Sequence, residues 1–355
     1  HSFPTRRSSD LDNLKILEIT VEEKPTGEIS AGAGVGTSGA SLGFGVKENN
    51  FLGKGISLDT ALELSATTIK GQFIYSKPNF NYTDNTLFTS ISSTTTDGLT
   101  DFGYKTSKVG TSIGTRFQQY ENLYFGPTIA TSFENLKTTT TASDSLQKQK
   151  GKYTDVYFNY SLDYDLRNQS YQTSDGFRNL FIQEIPLYSE SKEITNKIQS
   201  NFYKKPFQSS DMIFRSQFYA STVHSLGDKD VRISKRLYIP QSKLRGFESG
   251  RVGPVDNKGH VGGNYITTMN LSSTLPQVLP SFQNVDISVF FDVGNIWGID
   301  YNNSLDDSNG IRSATGLALD ILSPIGPLNF SFSRPLTKVS TDKTESFRFN
   351  LGTTF

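Results

Sequence analysis

Few side chains in this sequence can do chemistry. There is no cysteine, which removes disulfides, thiolate metal sites and cysteine nucleophiles together. Beyond His1 the histidines are His224 and His260, and neither stands in a metal-ligand spacing or a Ser/His/acid arrangement. No catalytic residue, metal ligand or cofactor is expected, and the chain does not read as an enzyme. Three places remain for non-covalent chemistry. Asp292 lies in FFDVGNIW beside Gly294; a buried Arg–carboxylate pair there would be bidentate and strong, and would tie a loop to a wall. The stretch Lys243–Gly263, KLRGFESGRVGPVDNKGHVGG, has the glycines and proline of a folded course. It carries Arg245, Gly246 and Phe247, and Arg245 taken alone reads as an ordinary solvated charge. The third is Glu28–Gly36, EISAGAGVG, where Gly32, Gly34 and Gly36 alternate with small apolar residues. Glycine weakens a strand, so this run either makes room for a plug or forms a seam that parts easily.

The elements that position these residues follow from composition and period. The chain has 355 residues, with 35 Lys+Arg against 35 Asp+Glu. A zero net charge leaves no basic excess to neutralise phosphates, so nucleic acid is not an expected partner. Hydrophobic residues make up 35%, low for a globular core of this size, yet Phe numbers 26, Tyr 16 and Gly 30. That mixture forms sheets joined by many turns. No run of about 18 apolar residues exists, so a membrane could be crossed only by a closed barrel, which leaves no unpaired backbone edge in lipid.

From Gly27 onward, segments of about ten residues alternate apolar with polar or small side chains between Gly, Pro, Asn and Asp clusters. About sixteen are expected, among them Glu28–Gly36, Asn85–Ser92, Leu123–Glu134, Ser210–His224, Gly263–Thr274, Asn284–Val293 and Ser346–Phe355. Turns such as NFLGK, QQYEN and SPIG are short; Lys137–Gly151 and Ser225–Gly262 are long and polar. Short turns on one rim and long loops on the other are expected of an outer-membrane barrel. In the last segment Phe347, Phe349, Leu351 and Phe355 share one face, with Arg348, Asn350 and Gly352 on the other. Apolar outside and polar inside is the lipid-facing pattern; a soluble β-sandwich would need a larger apolar core. The fold class is therefore all-β: a sixteen-stranded antiparallel transmembrane barrel with a long sixth extracellular loop set into the lumen.

Three domains are expected. Residues 1–11, HSFPTRRSSDL, have no apolar core or cleavage site of a signal peptide and read like translated sequencing adapter. Residues 12–26, with the alternating LKILEITV, look like the end of a small soluble domain whose remainder lies upstream. Residues 27–355 are the barrel.

The order RGF, GP, GGN, FFDVGNIW, IRSATGLALDILSPIGPLNFSFSRPL and ESFRFNLGTTF resembles the barrel of the BamA family of outer-membrane assembly factors, and TGEISAGAGVGTSGASLGFGVKENNFLGKG resembles that family's first hairpin, directly after its fifth POTRA domain. Single motifs are weak; the series in order at matching spacing is specific. The resemblance implies that Arg245, with Gly246 and Phe247, is tucked into the lumen, that Asp292 is its partner on strand thirteen, and that Gly352 marks an inward kink of the last strand beside a lateral gate. Gate residues would then be Gly32, Gly34, Gly36, Phe347, Phe349, Leu351, Gly352 and Phe355. One departure is Ser272, where many relatives carry a glutamate. The resemblance implies a Gram-negative outer-membrane insertase whose partners are unfolded outer-membrane client proteins, membrane lipid, and accessory lipoproteins bound through POTRA domains upstream. TamA-like proteins and two-partner secretion transporters share RGF/Y and FxD and stay open as alternatives; a passive porin would need an emptier lumen.

Overall fold

The computed structural model describes residues 25–351 apart from 38, 100–102, 141, 171–172, 208–209, 257–258, 277–284 and 324–325. The expectations for residues 1–11 and 12–24, and those for Gly352 and Phe355, lie outside the described residues.

Sixteen strands close into one antiparallel barrel. They are β1 (Gly27–Gly36), β2 (Gly39–Phe51), β3 (Ile56–Ser65), β4 (Thr68–Lys77), β5 (Thr86–Gly98), β6 (Tyr104–Tyr120), β7 (Leu123–Thr138), β8 (Gly151–Asp165), β9 (Gly176–Tyr188) and β10 (Glu193–Lys204), then β11 (Phe214–Ser225), β12 (Tyr265–Thr274), β13 (Val285–Trp297), β14 (Arg312–Ser323), β15 (Gly326–Thr337) and β16 (Phe347–Leu351). Each pairs with its sequence neighbour, and β16 returns to β1.

The alternation read from sequence orients the wall. On β13, Val289 and Phe291 are exposed while Ser288, Phe290 and Asp292 are buried. Rings gather on the lipid face near the short-turn rim: Phe117 against Phe125 at 5.7 Å, Tyr160 against Phe181 at 5.9 Å and Tyr164 against Phe177 at 5.7 Å. Such a girdle suits the membrane–water interface, where an aromatic ring covers apolar surface and keeps a polar edge wet.

Two expectations are corrected in detail. Several strands run further than their apolar pattern: β5 reaches Gly98, β7 reaches Thr138 and β13 reaches Trp297. Their ends are Ser/Thr-rich or aromatic and complete the ladder beyond the lipid-matched band, where backbone pairing no longer needs an apolar face. The rule of short turns on one rim and long loops on the other is also not strict. The connection 78–85 lies on the same rim as the turn 52–55, whereas 66–67 on the opposite rim is a tight turn.

The apolar core is not in the wall but under the sixth loop, 226–264. Leu244, Phe247 and Val252 from the loop pack on the inward-facing Tyr219, Ile266, Ile296 and Ala314. A second cluster joins Ile233 and Val261 of the loop to Leu136 and Leu146. A wide barrel has a lumen its wall side chains cannot fill; here the loop supplies the missing core.

Candidate functional site

The loop reaches the wall through arginines. Arg245 donates from its backbone N (3.0 Å) and Nε (2.7 Å) to Asp292 Oδ2 and from Nη2 to Oδ1 (2.7 Å). Its guanidinium lies 3.6 Å above the Phe290 ring. Asp292 is fully buried. The fork geometry satisfies both carboxylate oxygens, and the ring covers the face of the cation that makes no hydrogen bonds. Nearby, Asn270 Nδ2 holds the Lys243 carbonyl at 2.8 Å. Burial pushes the Lys243 ammonium below its ordinary range, with Asp292 opposing.

Gly246 has φ +88°, and a Cβ there would stand 2.9 Å from the Ala314 Cβ and 3.3 Å from that of Ser333. Only glycine allows both this backbone and this approach. Gly246→Ala is expected to destabilise the protein by about 1–3 kcal/mol, read as an earlier loss of the compact, heat-modifiable gel band. An unshifted transition would show that the loop does not need this approach. Phe247, 2% exposed, drops into the core cluster beside it.

The loop also pairs with the segment leading into β16. Phe247 and Thr344 form an antiparallel bridge. Glu248 N donates to the Lys343 carbonyl, Glu345 N to that of Gly246 and Lys343 N to that of Arg251, each at 3.0 Å. Arg348 of β16 points inward and donates to the Phe247 carbonyl at 2.8 Å and to Glu345 at 2.9 Å. The loop and the last strand are thus one hydrogen-bonded unit.

Three further arginines were not legible as site residues. Arg232 is enclosed by Asp155 (2.8 Å), Glu134 (3.3 Å) and Glu193 (3.6 Å), all nearly inaccessible to solvent, and stacks on Tyr153 at 4.1 Å. Arg236 donates to Asp300 at 2.7 Å and to the Gly298 carbonyl at 2.8 Å. Arg312 holds Asp342 through Nε at 3.0 Å and Nη2 at 3.1 Å, both side chains being 0% exposed. The run VRISKR hinted at the first two, but nothing local marks partners this far away along the chain.

The seam between first and last strands is built differently. Among the described residues β1 and β16 share two paired positions, Val35 with Leu351 and Gly36 with Asn350, plus a 3.3 Å bond from Thr37 N to the Phe349 carbonyl. On its other side β1 matches β2 from Gly27 to Gly36 without a break. β16 pairs with β15 from Phe347 to Leu351, and Phe347 packs on Phe332 at 5.0 Å and Phe349 at 6.0 Å. Gly32 and Gly34 give β1 no inward side chain, while Ile29, 87% exposed, packs on nothing beside it.

A sixteen-stranded barrel with an apolar outside, an aromatic girdle and a loop-filled lumen is a transmembrane protein of the Gram-negative outer membrane. This chain belongs to the Omp85 superfamily, whose domain model matches residues 50–355. It is 22% identical over 355 residues to the outer membrane protein assembly factor BamA of Neorickettsia risticii, covering 98% of this chain and 47% of that protein. It is 33% identical over 141 residues to BamA of Neisseria meningitidis serogroup B, covering 32% of this chain and 17% of that one. The crystal structure of BamA from Haemophilus ducreyi lacking POTRA domains 1–3 superimposes with a TM-score of 0.82 at 24% identity, over 94% of this chain and 71% of that one. The chain spans less than half the length of these curated relatives.

Proposed function

We propose that this barrel is an insertase for outer-membrane β-barrel proteins, with the β1–β16 seam as its lateral gate. The observation that carries the reading is the glycine-rich face of β1, with Gly32, Gly34 and Gly36 at alternate positions of the strand that closes the barrel against β16; among the described residues the two strands share two paired positions. An incoming strand would pair with the freed edge of β1 by β-augmentation, where main-chain hydrogen bonds give affinity with little demand on sequence. The small side chains of Ala31 and Ala33 and the glycines of β1 keep the opening cost low. No covalent step is invoked; the driving force is the folding of the client. The names of the relatives support assembly as the task, and the loop-filled lumen favours it over a passive pore. Client proteins as partners, and accessory lipoproteins docking on domains upstream of the barrel, belong to the same proposal.

Val35 and Leu351 are directly opposed. A disulfide between cysteines at these two positions is expected to arrest growth when this gene is the cell's sole assembly factor, with reductant restoring it. Normal client assembly by the oxidised, cross-linked protein would refute the gate. A TamA-like or secretion role predicts intact barrel assembly together with loss of one exported partner.

A further inference from the structure

Below the tip of the sixth loop, toward the short-turn rim, the lumen keeps a cavity of about 320 Å³. Arg215, Arg245 and Arg348 line it, with Ser272, Ser288 and Ser331. Two of these cations are already matched: Arg245 by Asp292 at 2.7 Å and Arg348 by Glu345. Arg215 is not. It stands on β11 opposite Ser272 of β12, its Nε is buried with no hydrogen-bond partner, and no ion pair reaches it among the described residues. The residue itself is partly exposed to the cavity, and a buried N–H donor without an acceptor is a costly arrangement.

We infer that this cavity is a binding site for a monovalent carboxylate, held by Arg215. The end of the guanidinium offers its two Nη groups as parallel donors, which fit the two oxygens of a carboxylate. The hydroxyls of Ser272, Ser288 and Ser331 supply further donors around it. The wall also carries Asp320, which accepts from Asn329 at 2.6 Å. A negative charge in the same lining repels a dianion such as sulfate or a phosphate ester more strongly than a monoanion. The carboxylate has two sources: a small free acid, or the acidic side chain or terminus of a polypeptide in the lumen. The inference does not depend on the gate.

The test uses the purified protein in detergent at constant ionic strength, with binding read by ligand-observed saturation-transfer NMR. Acetate and N-acetylphenylalanine are expected to bind competitively. N-acetylphenylalanine amide and sulfate are not expected to compete. In Arg215→Gln the affinity is expected to fall about tenfold, and Arg215→Lys, which keeps the charge but loses the fork, should fall between. Ser272→Glu places a carboxylate opposite Arg215 and is expected to abolish binding while leaving the arginine in place. Heat-modifiable gel mobility confirms that each variant is folded, so a loss in Ser272→Glu separates site occupancy from misfolding. Equal affinity for the two acids assigns a small free anion, and a preference of about tenfold for the peptide-like acid assigns a polypeptide carboxylate. Unchanged binding in Arg215→Gln, equal binding of the amide, tighter binding of sulfate, or no binding at all would overturn the inference.

Discussion

Arg232→Met is expected to lower the stability of the folded barrel by about 5 kcal/mol, the upper end of what breaking a buried ion pair costs. The substitution keeps roughly the length and apolar contact of the side chain, so the loss is electrostatic. Asp155, Glu134 and Glu193 are 0%, 3% and 1% exposed in their side chains, and Arg232 is the cation they share. Lys235 lies over the Tyr157 ring at 4.4 Å and makes no ion pair with the three acids among the described residues. The melting of the heat-modifiable band and protease cleavage within 226–264 report the effect, since Ile233 anchors one of the two core clusters. Combining Arg232→Met with Glu134→Gln, Asp155→Asn and Glu193→Gln removes the stranded charges and is expected to recover most of the loss, a coupling that a double-mutant cycle isolates. Wild-type melting of the single variant would show that water reaches these carboxylates.

The second large effect is at Asp292. Asp292→Ala strands the Arg245 guanidinium against Phe290 and removes the acceptor of its backbone N, with an expected cost of about 3–5 kcal/mol. Asp292→Asn keeps one acceptor and should lose less. Arg245→Lys is expected to behave more like the alanine variant than like wild type, because an ammonium cannot reproduce two parallel bonds and a stacked face. Proteolysis of the sixth loop, followed against thermal melting, checks the order Ala, Lys, Asn. Equal stability of Asp292→Asn and Asp292→Ala would mean that Asp292 contributes charge alone.

The wall was legible and the loop was not, for a physical reason. A strand between lipid and water states its own orientation every second residue, so β13 could be oriented from Val289, Phe291 and Asp292 alone. The polar strand ends at Thr94–Thr96 of β5 and Asn135–Thr138 of β7 carry no such contrast, so the apolar alternation stops short of them. Arg245 and Asp292 came together because the resemblance paired them; as residues, each was ambiguous. Arg232 and Arg312 were invisible for the complementary reason. Their partners sit on strands or loops that only the closed barrel brings near, and a short-range pattern says nothing about which acid a given arginine will meet. Ser272 departs from the family pattern, but its cross-strand neighbour Arg215 is set by the register of β11 on β12, which no local pattern states.

The backbone bridge between Phe247 and Thr344 has a mechanical consequence. β16 is fastened to the loop at its upper edge, through Glu345, Arg348 and the bridge, and among the described residues it meets β1 at Val35 and Gly36 lower down. In the proposed gate it would swing as a shutter hung from a lintel. Under the proposed gate, a sideways displacement would pivot about the upper fastening and grow away from it, so the opening would widen toward the lower rim. The arginines that hold the loop thereby fix the position of the pivot as well as the plug.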